Sequence, residues 1–166
     1  MAVLEILSYP DERLRRMAEP VEIFDDELRS FINDLEETMG TGPGAVGIAA
    51  PQVGHLQRIF IVDISSKPKH KNSGRMILVN PEITEWSGMA VGREGCLSVP
   101  DYTGNVIRAS KLTLEAKDKY GEPCSFHCDG FEARAVQHEL DHLDGILFVD
   151  RVVSRRNDLF VRKVYK

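Results

Sequence analysis

No stretch of this chain approaches the roughly 20 consecutive apolar residues that a membrane-spanning helix needs. Nothing near its beginning couples a basic stretch to an apolar signal core. Both absences speak against membrane insertion and export, so the expected location is the cytoplasm. Cysteine is scarce and odd in number, with only Cys96, Cys124 and Cys128. Without an export signal these read as free thiols or metal ligands rather than as a disulfide framework. An excess of positive charge is also missing, since the net charge is -5 and the pI near 5.6. That argues against a DNA binder or any dedicated nucleic-acid partner. There is no internal repeat, low-complexity block or linker, which leaves solenoids and multidomain arrays without support.

What is present suits a soluble globular chain: 42% hydrophobic and 28% charged residues in a length of 166. Such a length buries roughly two-thirds of its unfolded surface. The economical expectation is one α+β domain over residues 1–166, its short, mostly antiparallel sheets packed around a central helix, with a basic tail from 151 to 166.

That helix carries the most informative stretch, Gln137-His138-Glu139-Leu140-Asp141-His142. Residues four apart stand one turn above each other on a helix, so His138 and His142 can aim their imidazoles at one point. Glu139 can reach the open side of a metal held there and handle the proton of a bound water. Asp129 followed by Glu132 resembles a capping box, and Gly145 marks an expected stop. Phe131, Ala135, His138 and His142 form one stripe beside Ala133, Val136, Leu140 and Leu143, so the helix should be buried. Two hydrogen-bonded core histidines would explain the same pattern without a metal.

A catalytic metal generally has a third protein ligand and one open position. A further histidine is not at the metzincin spacing, which falls on Phe148, and no glutamate follows Glu139. Asp150 and Asp158 stay possible downstream without a supporting motif, and the favoured upstream candidates are Cys96, Cys124, Cys128, His55, His70 and His127. Cys124 to Cys128 could form a structural zinc site, although in a strand His127 would face away from both cysteines.

Elsewhere, Val3 to Leu7 reads as an extended arm and Pro10 as the opening of a short helix through Arg16. Leu28, Phe31, Ile32, Leu35 and Met39 recur at helical spacing behind Asp25, Asp26 and Glu27, with a stop at Gly40. Gly47, Ala49 and Ala50 are small enough to admit another backbone or a ligand. Arg58–Ile64, Met76–Val79 and Glu82–Trp86 read as three strands, and 112–127 as a hairpin turning at Tyr120-Gly121. Ser65 to Gly74 reads as a solvated loop.

Three segments, in order, resemble the motifs of the peptide deformylases. Ala45-Val46-Gly47-Ile48-Ala49-Ala50-Pro51-Gln52 resembles their GxGxAAxQ motif, Glu94-Gly95-Cys96-Leu97-Ser98 their EGCLS motif, and residues 137–142 their QHExDH motif. Ile6 to Val21 and Val79-Asn80-Pro81 look like the family's flanking pieces, so the likeness covers nearly the whole chain.

Carried onto this sequence, the resemblance implies a metal held by Cys96, His138 and His142, and removal of the formyl group from formylmethionyl nascent peptides as formate. A metal-bound water would attack, with Glu139 as general base. The Gln52 amide and the Leu97 backbone N–H would stabilise the oxyanion. Gly47 and Gly95 would meet the peptide main chain, while Ile48, Phe131 and Ala135 would wall the methionine pocket and Arg134 border it. The implied ion is Fe2+, for which Zn2+, Ni2+ or Co2+ can substitute. The implied partners are formyl-Met peptides and, through basic residues such as Arg151, Arg155, Arg156, Arg162, Lys163 and Lys166, the ribosome. A solvated basic helix, or a dimer contact through Leu159, Phe160 and Val164, is an equal account of that tail; monomer and dimer both stay open. Two departures from the pattern are Ala45, in place of the first motif glycine, and Arg93, where many members carry an acid.

Overall fold

Alternating side chains decide the layering of this protein. In a computed structural model, which describes residues 2–162, five strands form one antiparallel sheet. They are β1 (Gly47–Ala49), β2 (Ile59–Val62), β3 (Met76–Ser87), β6 (Lys111–Lys117) and β7 (Pro123–Asp129), in that spatial order. A second sheet contains β4 (Ala90–Cys96), β5 (Val99–Arg108) and β8 (Leu159–Val161). Two α-helices, α1 (Asp26–Gly40) and α2 (Gly130–Leu143), complete the α+β architecture.

Every residue of β2 is buried, because each face of the larger sheet meets a different helix. Ile59 and Ile61 pack with Leu28, Ile32, Leu35 and Met39 of α1. Phe60 and Val62 point the other way, into a cluster with Leu78, Leu114, Ala133, Val136 and Leu143 that includes the inner face of α2. Full burial of one such aliphatic side chain contributes about 1.5–3 kcal/mol. A third cluster, Leu14, Cys96, Val99, Val106, Leu147 and Phe148 among it, lies under the smaller sheet.

Helix α1 matches its expected limits. Asp25 caps it by accepting the Leu28 N–H at 2.9 Å, with Asp26 and Glu27 complementing the helix dipole. Helix α2 starts differently from the expected capping box. Asp129 makes no side-chain cap bond. The Glu132 carboxylate is buried and is satisfied instead by the Ser73 N–H at 2.6 Å and hydroxyl at 2.9 Å. Ser73 belongs to the 65–74 loop, which is therefore pinned at its end rather than wholly solvated. At the other end of α2, the Leu143 carbonyl accepts from the Ala18 N–H at 2.8 Å and from Arg58 at 3.1 Å.

Several expected boundaries shift. The helix near Pro10 is a four-residue 3-10 turn, Glu12–Arg15, capped by Asp11, and Pro10 precedes it after a cis peptide bond. Residues 76–79 and 82–86 are one strand, not two: β3 continues through Asn80-Pro81 with a register shift there. Asn80 takes a positive φ of 53° and its side chain bonds both backbone groups of Val21. In the tail, Leu159–Val161 is not helix but the third strand of the smaller sheet. Lys163, Val164 and Lys166 lie outside the described residues. Among the described residues no helix is long and apolar enough to cross a membrane.

Candidate metal centre

The β4–β5 hairpin delivers the sulfur. Along β4 the inward positions are Glu94 and Cys96, while Gly95 between them is exposed, as strand alternation requires. A register shift between Glu94 and Cys96 ends the regular pairing just before the turn. Helix α2 delivers the two imidazoles from one face. The ligand atoms of Cys96, His138 and His142 lie within 4.8 Å of one another, the one such group of His, Cys, Asp or Glu among the described residues. Cys96 Sγ stands 3.3 Å from His142 Nε2.

The donor set fits a divalent ion. One thiolate and two imidazoles are a known combination for zinc and iron-type metals. The outer ring nitrogen of His138, Nδ1, is 2.9 Å from Glu94 Oε1, which fixes the ring so that Nε2 faces inward. The three upstream histidines are engaged elsewhere. His55 stacks on Phe31 at 3.8 Å, His70 sits over Phe131 at 4.9 Å, and His127 meets Thr113 at 3.0 Å. Cys128 is buried, and burial together with Glu132 pushes its thiol up to about 12, so it is a poor metal ligand.

Glu94 is the electrostatic hub. Arg108 grips it through two bonds of 2.9 Å, and Arg134 Nη1 adds one of 2.8 Å. Arg108 then reaches Asp141 at 2.6 Å, and Arg151 holds Asp141 from the other side. Burial alone would raise the Glu94 carboxyl, yet hydrogen bonds from Arg108 and His138 hold it well below the usual range. Burial likewise opposes charge on His138, but its bonds to Cys96 and Glu94 raise it well above the ordinary value. His142 goes the other way, pushed down by burial and by the charge on His138.

Glu139 stands beside this group and is buried. Burial pushes its carboxyl up to about 7, and Oε1 has no hydrogen-bond partner among the described residues. The space for its side chain is left by Gly47, where an added Cβ would stand 2.6 Å from Glu139 Oε2. Gln52 is buried and oriented at both ends. Its Oε1 accepts the Ala49 N–H at 2.9 Å, and its Nε2 donates to Ser98 Oγ at 3.0 Å and faces Cys96 Sγ at 3.5 Å. The Leu97 side chain packs toward Gly42, where a Cβ would stand 2.8 Å from it.

A pocket of about 300 Å³ opens over Cys96, His138 and Glu139, and Gly47, Gly95, Leu97, Phe131, Arg134 and Ala135 also line it. Ile48 does not. In β1, Gly47 and Ala49 face α2 whereas Ile48 faces α1 and is wholly buried in that cluster. Val46 stands in the lining where Ile48 was expected. Arg134 borders the pocket as expected, tied to Glu94, to the Val106 carbonyl and to the Ala90 carbonyl.

The sequence reading gave no role to Glu94, Arg108 or Asp141. One signal lay in the spacing, since in a strand Glu94 shares a face with Cys96 and Arg108 with Val106, but the exposure of Val91 and Ile107 hides which face is inward. A charged residue on an inward face needs a partner.

A thiolate and two imidazoles converging beside a buried carboxylate, in the wall of a pocket, define a candidate metallohydrolase centre. The polypeptide deformylase family model matches residues 3–158. A peptide deformylase of Thermodesulfovibrio yellowstonii is 41% identical over 163 residues, 98% of this chain and 97% of that one. Another, from Caldicellulosiruptor bescii, is 46% identical over 153 residues, 92% and 87% of the two chains. Among solved structures, a peptide deformylase from Legionella pneumophila superposes with a TM-score of 0.83 at 43% identity, covering 93% of this chain and 89% of that one. One from Synechococcus elongatus, in complex with actinonin, gives 0.84 at 36% identity, with 92% and 80% covered. The chain belongs to the polypeptide deformylase family, a family of enzymes.

Proposed function

We propose that this protein removes the formyl group from formylmethionyl nascent peptides in the cytoplasm and releases it as formate, with residues 1–166 acting as one catalytic domain. Cys96, His138 and His142 would hold the metal, for which we propose Fe2+, with Zn2+, Ni2+ or Co2+ able to substitute. When bound, such an ion supplies Lewis acidity and lowers the pKa of a water molecule. Glu139 takes the proton of the attacking water and returns it to the leaving amine. Its burial, and an Oε1 without a hydrogen-bond partner among the described residues, suit a carboxylate that must both gain and lose a proton near neutral pH.

The Gln52 amide and the Leu97 backbone N–H donate to the oxyanion as the formyl carbonyl is attacked. One preorganised donor of this kind contributes about 3–4 kcal/mol to lowering the barrier. Gly47 and Gly95 meet the extended peptide backbone. The methionine side chain rests against Phe131, Ala135 and Val46, with Arg134 at the border. A formyl hydrogen fits where the methyl of an acetyl group would clash, which makes selection steric. The exposed tail cations Arg155 and Arg156 are candidates for contact with ribosomal RNA.

The observation that supports this reading most is the approach of the Cys96, His138 and His142 ligand atoms to within 4.8 Å of one another, beside a pocket lined by Cys96, His138 and Glu139. Its test is formate release under anaerobic conditions from a formyl-Met peptide, with acetyl-Met and unblocked peptides as controls. Formate from the first alone is expected, and Glu139→Ala should abolish it with metal retained. Cleavage of internal peptide bonds, or metal binding without formate, would overturn the proposal.

A further inference from the structure

Positive charge gathers around the mouth of the pocket. Lys67, Arg93 and Arg162 line it, and among the described residues its only lining carboxylates are Glu94 and Glu139, both buried. Glu94 is committed to Arg108, Arg134 and His138. A cationic rim thus sits on a chain whose net charge is -5.

Two of these cations are positioned by the smaller sheet. Strand β8 pairs with β5, and the Arg162 N–H continues the ladder to the Asp101 carbonyl at 2.8 Å. The Arg162 guanidinium consequently lies against Gly95, where any Cβ would collide with Nη2. Gly95 is the neighbour of Cys96, so the tail brings a cation to the edge of the metal centre. Arg93 is held over the Phe160 ring of the same strand at 3.8 Å and bonds Thr103 Oγ1 and Asn105 Oδ1, both at 3.2 Å. None of those partners of Arg93 carries a charge, so they restrict its position without neutralising it.

We propose that Arg93 and Arg162, with Lys67 beside them, read the charge of the residues following formyl-methionine and favour peptides with aspartate or glutamate there over lysine or arginine. This rests on the deformylase reading above. An extended peptide advances about 3.3 Å per residue. With its formyl group beside Cys96, its second and third residues pass the exposed Gly95 backbone and the guanidinium lying on it. Rim charges act on the bound peptide and on the transition state alike, so the preference falls on KM. Salt screens it, because the rim is solvent-exposed.

The test uses the metal-loaded full chain and peptides of the form formyl-Met-Asp, formyl-Met-Ala-Asp, formyl-Met-Lys and formyl-Met-Ala-Lys, each with a common neutral extension. Formate release is followed at about 0.02 M and about 0.5 M salt. At low salt the acidic peptides are expected to exceed the basic ones about five- to tenfold in kcat/KM, chiefly through KM, with the gap closing at high salt. Arg93→Glu and Arg162→Glu should each narrow the gap, because two of the three rim cations then face one new carboxylate. Because Arg162 adjoins β8, unfolding of its variant is checked by thermal melting, and the wild-type comparison decides the matter without it. Equal kcat/KM for acidic and basic peptides at low salt overturns the rim proposal alone. No formate from any formylated peptide overturns the deformylase reading and the rim proposal together.

Discussion

Gly47 and Glu139 share one volume: the side chain that Gly47 lacks would stand 2.6 Å from Glu139 Oε2 and 3.0 Å from its Cγ and Cδ. The glycine is required by the neighbouring carboxylate rather than by its own backbone, since its φ lies outside the left-handed region. Gly47→Ala should therefore push Glu139 aside without touching any metal-ligating residue. With Glu139 as the general base proposed above, displacing it by about 1 Å costs on the order of a hundredfold in rate. We expect kcat to fall by about that factor at unchanged metal content, measured by formate release and metal analysis. In a Glu139→Asp background, where the carboxylate is already withdrawn, adding Gly47→Ala should cost far less than in wild type.

The Glu94 to His138 bond leads to a second prediction. Glu94→Gln keeps the shape of the side chain but removes the charge that Arg108 and Arg134 share and weakens the acceptor for His138 Nδ1. Loss of such an outer partner lowers metal affinity about 10- to 100-fold. Leaving the buried Arg108 with Asp141 as its remaining partner should also cost about 3–5 kcal/mol of stability. Chelator competition and urea unfolding measure the two effects separately. An unchanged affinity would show that the carboxylate serves the fold only.

How far these relationships could be read from the chain depends on their range. Helix α1 and the β6–β7 hairpin follow from side-chain periodicity over 7 to 15 residues, and the spacing of His138 and His142 is meaningful as soon as α2 is recognised. The smaller sheet was not legible, because Val91 and Ile107 are exposed and Gly92, Gly95 and Gly104 interrupt the pattern. Nor was the burial of Ile48 on the α1 side, since a three-residue strand is too short to show which face is which. The choice of Cys96 over five other upstream candidates came from resemblance and not from spacing. Only the packing of β4 against α2 brings sulfur and imidazole together.

Asn80 illustrates the same limit and carries a third prediction. Its φ of 53° is in the left-handed region, and its amide accepts from the Val21 N–H at 2.8 Å and donates to the Val21 carbonyl at 2.9 Å. This lets β3 run on through a proline that reads locally as a strand end. Asn80→Gly keeps the backbone at ease but loses both bonds, for an expected cost of about 1–3 kcal/mol. Asn80→Ala loses the bonds and adds the left-handed penalty of about 1–2 kcal/mol. Urea melts should rank wild type above glycine and glycine above alanine. A reversal of the last two would mean that the conformation is not strained.

Removing the metal should expose the cost of burying Glu139, and here the sign is specific. The folded carboxyl is pushed up from 4.5 to about 7 by burial, so between those values the folded state binds more protons than the unfolded one. Stability attributable to Glu139 must then fall as pH rises from 4.5 to about 7, and level off above. The full difference is on the order of 3 kcal/mol. In metal-free protein, Glu139→Gln should gain on wild type progressively across that window and exceed it clearly at pH 8, while the two lie close at pH 4.5. Both proteins retain His138 and His142, so their difference reports the carboxyl together with its coupling to His138. Adding Zn2+ should shrink the gap at pH 8, because a cation beside Glu139 favours its charged form. Urea unfolding of both proteins at pH 5 and pH 8, with and without Zn2+, measures all four quantities. A gap that does not depend on pH would mean that Glu139 is not desolvated by its surroundings.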